Sequence, residues 1–385
     1  MQHLGRTLEP PERKYLEYRT GMGTIYVKYS ALEPLSRVDG VIFDCDGVLI
    51  DEKTSYDKVI QEVTAFLTHM LTGYTVDASS IRQETIYDIR AIGSFNNDAN
   101  TIQLLVEWLV DRISAELDDK VWERMAELRS KTFTEMPNIL QSSGNISGPL
   151  VESWLRELSR KVASFSGSAA GLTTLEEKIG IDMQLTNMVK DVLKPGGRYG
   201  ESLLTTVFDE AFYGSENVQN VRNAGPFFSF TGKLDEEKLI VSRDTLEKLS
   251  LHGIRLGICT GRGSWETWRT LGEFSRYFVK EACMFISDYI NIDPVKYSYL
   301  EKPSPIPLLE ALKGLGGDEP KLYVGNSAED HIMFQRALSS QENLLFAGVT
   351  DNDYRRLDYM FENEADLILA SVNQLAKVFQ LLREE

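Results

Sequence analysis

The chain has 385 residues, 42% hydrophobic and 26% charged, room for two domains at the usual size of about 100 to 200 residues. Its 41 Lys and Arg against 58 Asp and Glu give a net charge of −17, which excludes general binding to nucleic-acid backbones or anionic lipid unless a basic block is locally concentrated, and none is present. Aromatic residues make up 10% and apolar residues are spread throughout, which excludes low-complexity disorder. No apolar run approaches the roughly 20 residues that cross a bilayer. The charged start, with Arg6, Glu9, Glu12, Arg13 and Lys14, does not suit a secretory signal. The expectation is a cytoplasmic chain with neither a membrane nor a nucleic acid as partner. Cys45, Cys259 and Cys283 lack metal-type spacing, so reduced, structural cysteines are expected.

In chain order, residues 1–37 form an N-terminal extension in which residues 24–29 alternate like an added strand. Residues 38–43 are a β-branched apolar run that stops at Asp44, Asp46 and Gly47, as a central parallel strand does on entering a loop. Helical spacing then takes over. Tyr56, Val59, Ile60, Val63 and Phe66 form one apolar face, Ile102, Leu105, Val106 and Leu109 another, and Val151, Trp154, Leu155, Leu158 and Val162 a third. The Trp154 helix is expected to pack within its own domain rather than against a second subunit. Residues 56–225 therefore read as an all-helical insertion.

After Gly225 and Pro226 the α/β texture returns. The pattern predicts a helix over 236–251, strands at 255–259, 284–287, 322–324 and 344–349, helices near 305–312 and 329–338, an apolar stretch at 365–369, and a closing amphipathic helix. Strands alternating with helices imply a doubly wound, Rossmann-like parallel sheet. The core is then built from residues 38–55 and 226–385.

Four places in that core carry polar residues just after an apolar strand, where such a sheet binds its ligands. Asp44 and Asp46 can divide nucleophilic and acid/base work. Thr260 and the Gly261 N–H can hold a phosphoryl oxygen. Lys302 can offset negative charge. Residues 325–330, Gly-Asn-Ser-Ala-Glu-Asp, offer oxygen ligands for a hard cation. Each signal is weak alone; their order and strand-end placement carry the weight.

Together they resemble the four motifs of the haloacid dehalogenase-like hydrolases. FDCDGVL matches the first, ICTG the second, Lys302 the third and VGNSAED the fourth. The resemblance covers residues 38–56 and 235–370, and the helical insertion occupies the position of that family's cap. It implies a Mg²⁺-dependent phosphatase of a small organic phosphate monoester. Asp44 would form an aspartyl-phosphate, and Asp46 would protonate the leaving alcohol and later activate water. Thr260 and Gly261 would bind the phosphoryl group, with Lys302 orienting Asp44. Magnesium would rest on Asp44, the Asp46 carbonyl and the acid of the fourth motif. That acid is expected to be Asp330, because Asn326 stands where the phosphatases of the family carry an aspartate. Asn326 can still offer its amide oxygen to the metal, with one negative charge fewer.

The segments IDEKTSYDKVI and IRAIGSFNNDAN are similar to an archaeal and cyanobacterial subgroup of these hydrolases. In the second, Arg90, Asn96 and Asn97 are candidate substrate contacts, against the alternative of a solvated helix-to-loop turn. Arg262 can contact substrate or pair with a carboxylate. His252 and His331 read as ordinary surface or packing residues, not catalytic bases. Two alternatives stay open: a phosphomutase using the same aspartyl-phosphate, and a catalytically weakened phosphate-ligand binding or regulatory protein. The sequence assigns no oligomeric state.

Overall fold

The computed structural model describes residues 14–52, 55–90, 92, 98–131, 135–136, 142–165 and 172–383. Contacts divide the chain into two units, residues 1–52 with 237–385, and residues 53–236. The insertion therefore runs on to Glu236 rather than ending at 225.

The first unit is organised by an eight-stranded sheet. Its strands in chain order are β1 Tyr15–Thr20, β2 Gly23–Lys28, β3 Gly40–Phe43, β4 Arg255–Thr260, β5 Phe278–Phe285, β6 Lys321–Gly325, β7 Leu344–Val349 and β8 Leu367–Leu369. Their spatial order is β1-β2-β8-β7-β6-β3-β4-β5. From β8 to β5 every pairing is parallel. The doubly wound expectation holds.

Every residue of β3 and β6 is buried, as central parallel strands covered on both faces require. Side chains two apart share a face, and the core divides accordingly. Val41, Phe43, Leu256, Ile258, Leu322 and Val324 join one cluster with Leu246, Leu249, Leu375 and Phe379. Ile42, Cys259, Tyr323 and Phe346 join the other with Leu308, Leu312, Met333 and Met360. Each fully buried aliphatic side chain contributes about 1.5 to 3 kcal/mol, so the alternation within GVIF alone ties two helical layers to one strand.

Three expectations shift. The added strand at 24–29 is the second arm of an antiparallel hairpin, β1 with β2, and β2 pairs antiparallel to β8. The first arm, YLEYRT, was missed because most of it is exposed and carries no apolar alternation. The strand expected at 284–287 is β5, which begins at Phe278, and a short helix already starts at Ile286. The helix expected over 236–251 spans only Arg243–Leu251 because Ser242 caps it, accepting the Thr245 N–H at 3.1 Å. The chain before it forms a two-residue strand, Lys238–Leu239, paired antiparallel with Ile50–Asp51.

Among its described residues the second unit has no strands apart from a two-residue pairing of Tyr74–Thr75 with Gly144–Asn145. Val59, Ile60, Val63 and Leu67 of the helix Tyr56–Thr72 are fully buried, as are Ile102, Leu105, Val106 and Leu109 of Asp98–Glu116. Trp154 lies inside this unit: it is 3% exposed, its carbonyl accepts the Trp108 indole N–H at 2.9 Å, and its own indole donates to Glu116 at 3.0 Å. Burial of two polar ring edges with partners explains why the packing expectation prevails. A loop with three phenylalanines is fixed through Glu210, whose carboxylate takes the Phe227 and Phe228 N–H groups at 2.7 and 2.8 Å and the Tyr199 hydroxyl at 2.8 Å. Among the described residues no helix is long and apolar enough to cross a membrane.

Candidate active site

Three neighbouring strands, β6, β3 and β4, end side by side, and the polar residues that follow them converge. Asp44 follows β3, and its N–H donates to the Val324 carbonyl of β6 at 2.9 Å. Thr260 is the last residue of β4, fully buried, and its hydroxyl oxygen accepts the Arg262 N–H at 3.3 Å. Gly261 is exposed, and a side chain there would meet open space. Asn326 follows β6. Lys302 arrives from the connection between β5 and β6.

Two glycines permit this approach. Gly47 has φ +68, and a Cβ there would lie 2.0 Å from Asn326 Nδ2, so the turn after Asp46 needs glycine both for its left-handed backbone and for room. At Gly325 a Cβ would fall 2.5 Å from the Asp330 Cβ. Without a side chain there, Asp330 can fold back under the strand end.

Lys302 is the electrostatic centre. Its Nζ lies 2.8 Å from Asp44 Oδ1 and 2.7 Å from Asp330 Oδ1, with only 12% of its side chain exposed. Burial alone would lower the lysine pKa; the charges of Asp330 and Asp44 outweigh it and hold the ammonium well above its ordinary value. Burial pushes the Asp44 carboxyl up to about 7, with Lys302 acting against the rise and Asp330 and Asp46 adding to it. For Asp330 burial also works upward, but Lys302 and the hydroxyls of Tyr323 and Ser327 hold the carboxyl below the usual range.

Asp330, the expected acid of the fourth motif, is surrounded by donors. Its Oδ1 accepts from Lys302 and from the Tyr323 hydroxyl at 2.7 Å; its Oδ2 accepts from the Ser327 hydroxyl at 2.7 Å and from the N–H groups of Asn326 and Ser327 at 3.1 Å. Both oxygens are spent on donors and the residue is fully buried. Asp330 thereby anchors Lys302 and the helix Ala328–Ala337. The signal was present in the sequence: Ser327 followed three positions later by Asp330 is a capping box, and the box forms. Tyr323, by contrast, carried no signal beyond its place in an apolar strand.

Arg262 pairs with carboxylates and makes a fork. NH1 donates to Asp46 Oδ1 at 2.8 Å and to Glu237 Oε1 at 3.0 Å, and NH2 donates to Glu237 Oε2 at 2.7 Å. The direct substrate contact expected as one alternative gives way to this ion pair, because the guanidinium is only 1% exposed. Glu237 was not anticipated. Glu52 is a further acid beside Asp46, its carboxyl pushed up to about 7 by burial and then by the Asp46 charge.

In the helical unit Arg90 bridges Asp57 at 2.9 Å and Asp98 at 2.7 Å. Asp57 also accepts from Gln83 and Tyr87. This guanidinium holds three helices together. Asn96 and Asn97 lie outside the described residues. His331 is buried against Phe334, Phe346 and Tyr359, a packing residue whose pKa burial lowers. Cys45 and Cys259 are fully buried.

A divalent cation can be tested against these donors. Among the described residues no group of three or more His, Cys, Asp or Glu side chains could hold a metal by itself. What remains is a hard-oxygen set, the Asp44 carboxylate and the Asp46 backbone carbonyl with the amide of Asn326. That set fits an ion such as magnesium, which keeps several waters and takes one or two carboxylates plus substrate phosphate.

Comparison with solved structures places the fold. An X-ray structure from the Northeast Structural Genomics Consortium aligns over 90% of this chain and 100% of its own, at 16% identity and a TM-score of 0.56. Weaker likenesses are to a candidate phosphoglycolate phosphatase from Lactobacillus delbrueckii subsp. bulgaricus, with 13% identity, 89% and 98% covered and a TM-score of 0.41. Another is to a HAD-superfamily hydrolase of subfamily IA from Geobacter sulfurreducens, with 15% identity, 89% and 96% covered and a TM-score of 0.32. At these identities the likeness is one of fold. No family model and no curated protein matches the chain.

Proposed function

We propose that this chain is a haloacid dehalogenase-like phosphatase that hydrolyses a small organic phosphate monoester through an aspartyl-phosphate on Asp44. The observation that carries the reading is the largely buried Lys302 set 2.8 Å from Asp44 Oδ1 at a strand end, with the Asp46 side chain two residues on still 34% exposed.

Lys302 holds one oxygen of Asp44 and leaves Oδ2 to attack phosphorus. As the Oδ2–P bond forms, the bond from phosphorus to the ester oxygen breaks, and Asp46 passes its proton to that oxygen, releasing the alcohol. In the second half Asp46, now a carboxylate, takes a proton from water. The water oxygen attacks phosphorus, the bond to Asp44 breaks, and phosphate leaves. Thr260 and the Gly261 N–H steady the phosphoryl oxygens, and Lys302 offsets their charge. A magnesium ion held by the Asp44 carboxylate, the Asp46 backbone carbonyl and Asn326 would supply further neutralisation of the phosphoryl charge.

The test is release of phosphate from p-nitrophenyl phosphate and from a panel of natural phosphate esters, with Mg²⁺ and with EDTA. The expected result is metal-dependent release by the unaltered chain and none by Asp44→Asn. Release that survives in Asp44→Asn overturns the reading. Formation of an isomerised sugar phosphate in place of free phosphate would identify a mutase.

A further inference from the structure

Arg262 joins two parts of the first unit far apart in sequence, being 216 positions from Asp46 and 25 from Glu237. Its backbone N–H is bonded to Thr260 Oγ1, so it is fixed on the turn expected to bind phosphate. Its side chain is fixed as well. The Glu237 side chain is fully buried, holds the guanidinium through both its oxygens, and is itself held by the Thr270 hydroxyl at 2.8 Å. A buried bidentate pair of this kind gives the guanidinium a single orientation. The remaining reach of NH1 goes to Asp46 Oδ1.

We propose that Arg262, locked by Glu237, is a positioning residue for Asp46. It pins Oδ1 and leaves Oδ2 as the atom that exchanges the proton with the ester oxygen. Asp46 is a short side chain on a glycine turn and one third exposed; unpinned, it would sample other rotamers. A displacement of about 1 Å in a catalytic group can cost about 100-fold in rate. The inference rests on the phosphatase reading and deepens it.

The effect should depend on the leaving group. p-Nitrophenolate departs as a stable anion and needs little protonation, whereas an alkoxide needs the proton that Asp46 delivers. The experiment compares kcat/KM for p-nitrophenyl phosphate and for a simple alkyl phosphate, with Mg²⁺ constant, in the unaltered chain, Arg262→Ala and Arg262→Lys. Arg262→Ala is expected to lower the alkyl value at least about 10-fold more than the p-nitrophenyl value, and Arg262→Lys to restore part of that difference. Arg262→Ala strands the buried Glu237 charge and can cost the fold, so Arg262→Met with Glu237→Gln, which removes the pair without stranding either partner, is measured beside it. The same selective loss is expected there. A proportional fall for both esters in every folded variant overturns the positioning role while leaving the phosphatase reading intact. Failure of the unaltered chain to release phosphate from any ester overturns the phosphatase reading, and this inference with it.

Discussion

The carboxylate of Asp330 meets the ammonium of Lys302 at 2.7 Å inside the protein, and the same ammonium meets Asp44 at 2.8 Å. Lys302 is thus suspended between an anchor and the proposed nucleophile. Removing one member of a buried charge group leaves the others uncompensated, at a cost of about 3 to 5 kcal/mol.

Asp330→Asn should therefore act as loss of an anchor and not as loss of a metal ligand. Expected are a fall in stability of about 3 kcal/mol and a fall in kcat, with the Mg²⁺ concentration giving half-maximal activity unchanged. Denaturant unfolding with a Mg²⁺ titration of activity reads both. A large rise in that Mg²⁺ concentration would return Asp330 to the metal.

Asn326→Asp adds a carboxylate against the Gly47 turn, in the set that includes Asp44 and Asp46. Without metal the added charge should destabilise the folded chain by repulsion, on the order of 1 kcal/mol. With Mg²⁺ the variant should gain more stability than the unaltered chain, since ligand binding to the folded form stabilises it in proportion to affinity. Melting temperatures across a Mg²⁺ series check this without any substrate. An identical metal response in both proteins would remove Asn326 from the proposed set.

A second buried acid lies far from this chemistry in sequence. Glu107 accepts from Gln103 at 2.7 Å through Oε1, and Glu176 accepts from Lys190 at 2.6 Å through Oε2. Glu107 Oε2 and Glu176 Oε1 are buried with no hydrogen-bond donor. Burial, and then the charge of Glu176, push the Glu107 carboxyl from 4.5 up to about 9. Between those values the folded chain keeps a proton that the unfolded chain has lost. The contribution is present in full below the unfolded value and is lost as pH rises toward the folded one, at up to about 1.4 kcal/mol per pH unit. Glu107→Gln mimics the protonated form. It should match the unaltered chain near pH 4, exceed its stability at pH 8, and flatten the decline between, as read by chemical denaturation. An unchanged slope would show that Glu107 is charged in the folded state.

Much of the site was legible because strand ends are local events. The apolar run before Asp44, the run before Thr260 and the run before Gly325 each announce a parallel strand and its loop, and parallel strands in one sheet bring such loops together. Even the Ser327–Asp330 cap was written in three residues' spacing. The first arm of the N-terminal hairpin was not legible, since an exposed edge strand carries little hydrophobic periodicity.

The sequence by itself determined which residue types reach the carboxyl ends of the strands, through alternation of apolar side chains across a doubly covered sheet. Tertiary structure alone decided their partners: Asp330 with Lys302, Arg90 with Asp57 and Asp98, Arg262 with Asp46 and Glu237. A side chain's neighbours across 216 positions of chain are set by packing. A buried charge takes whichever counter-charge packing brings near, because leaving it unpaired costs more than any local preference can supply.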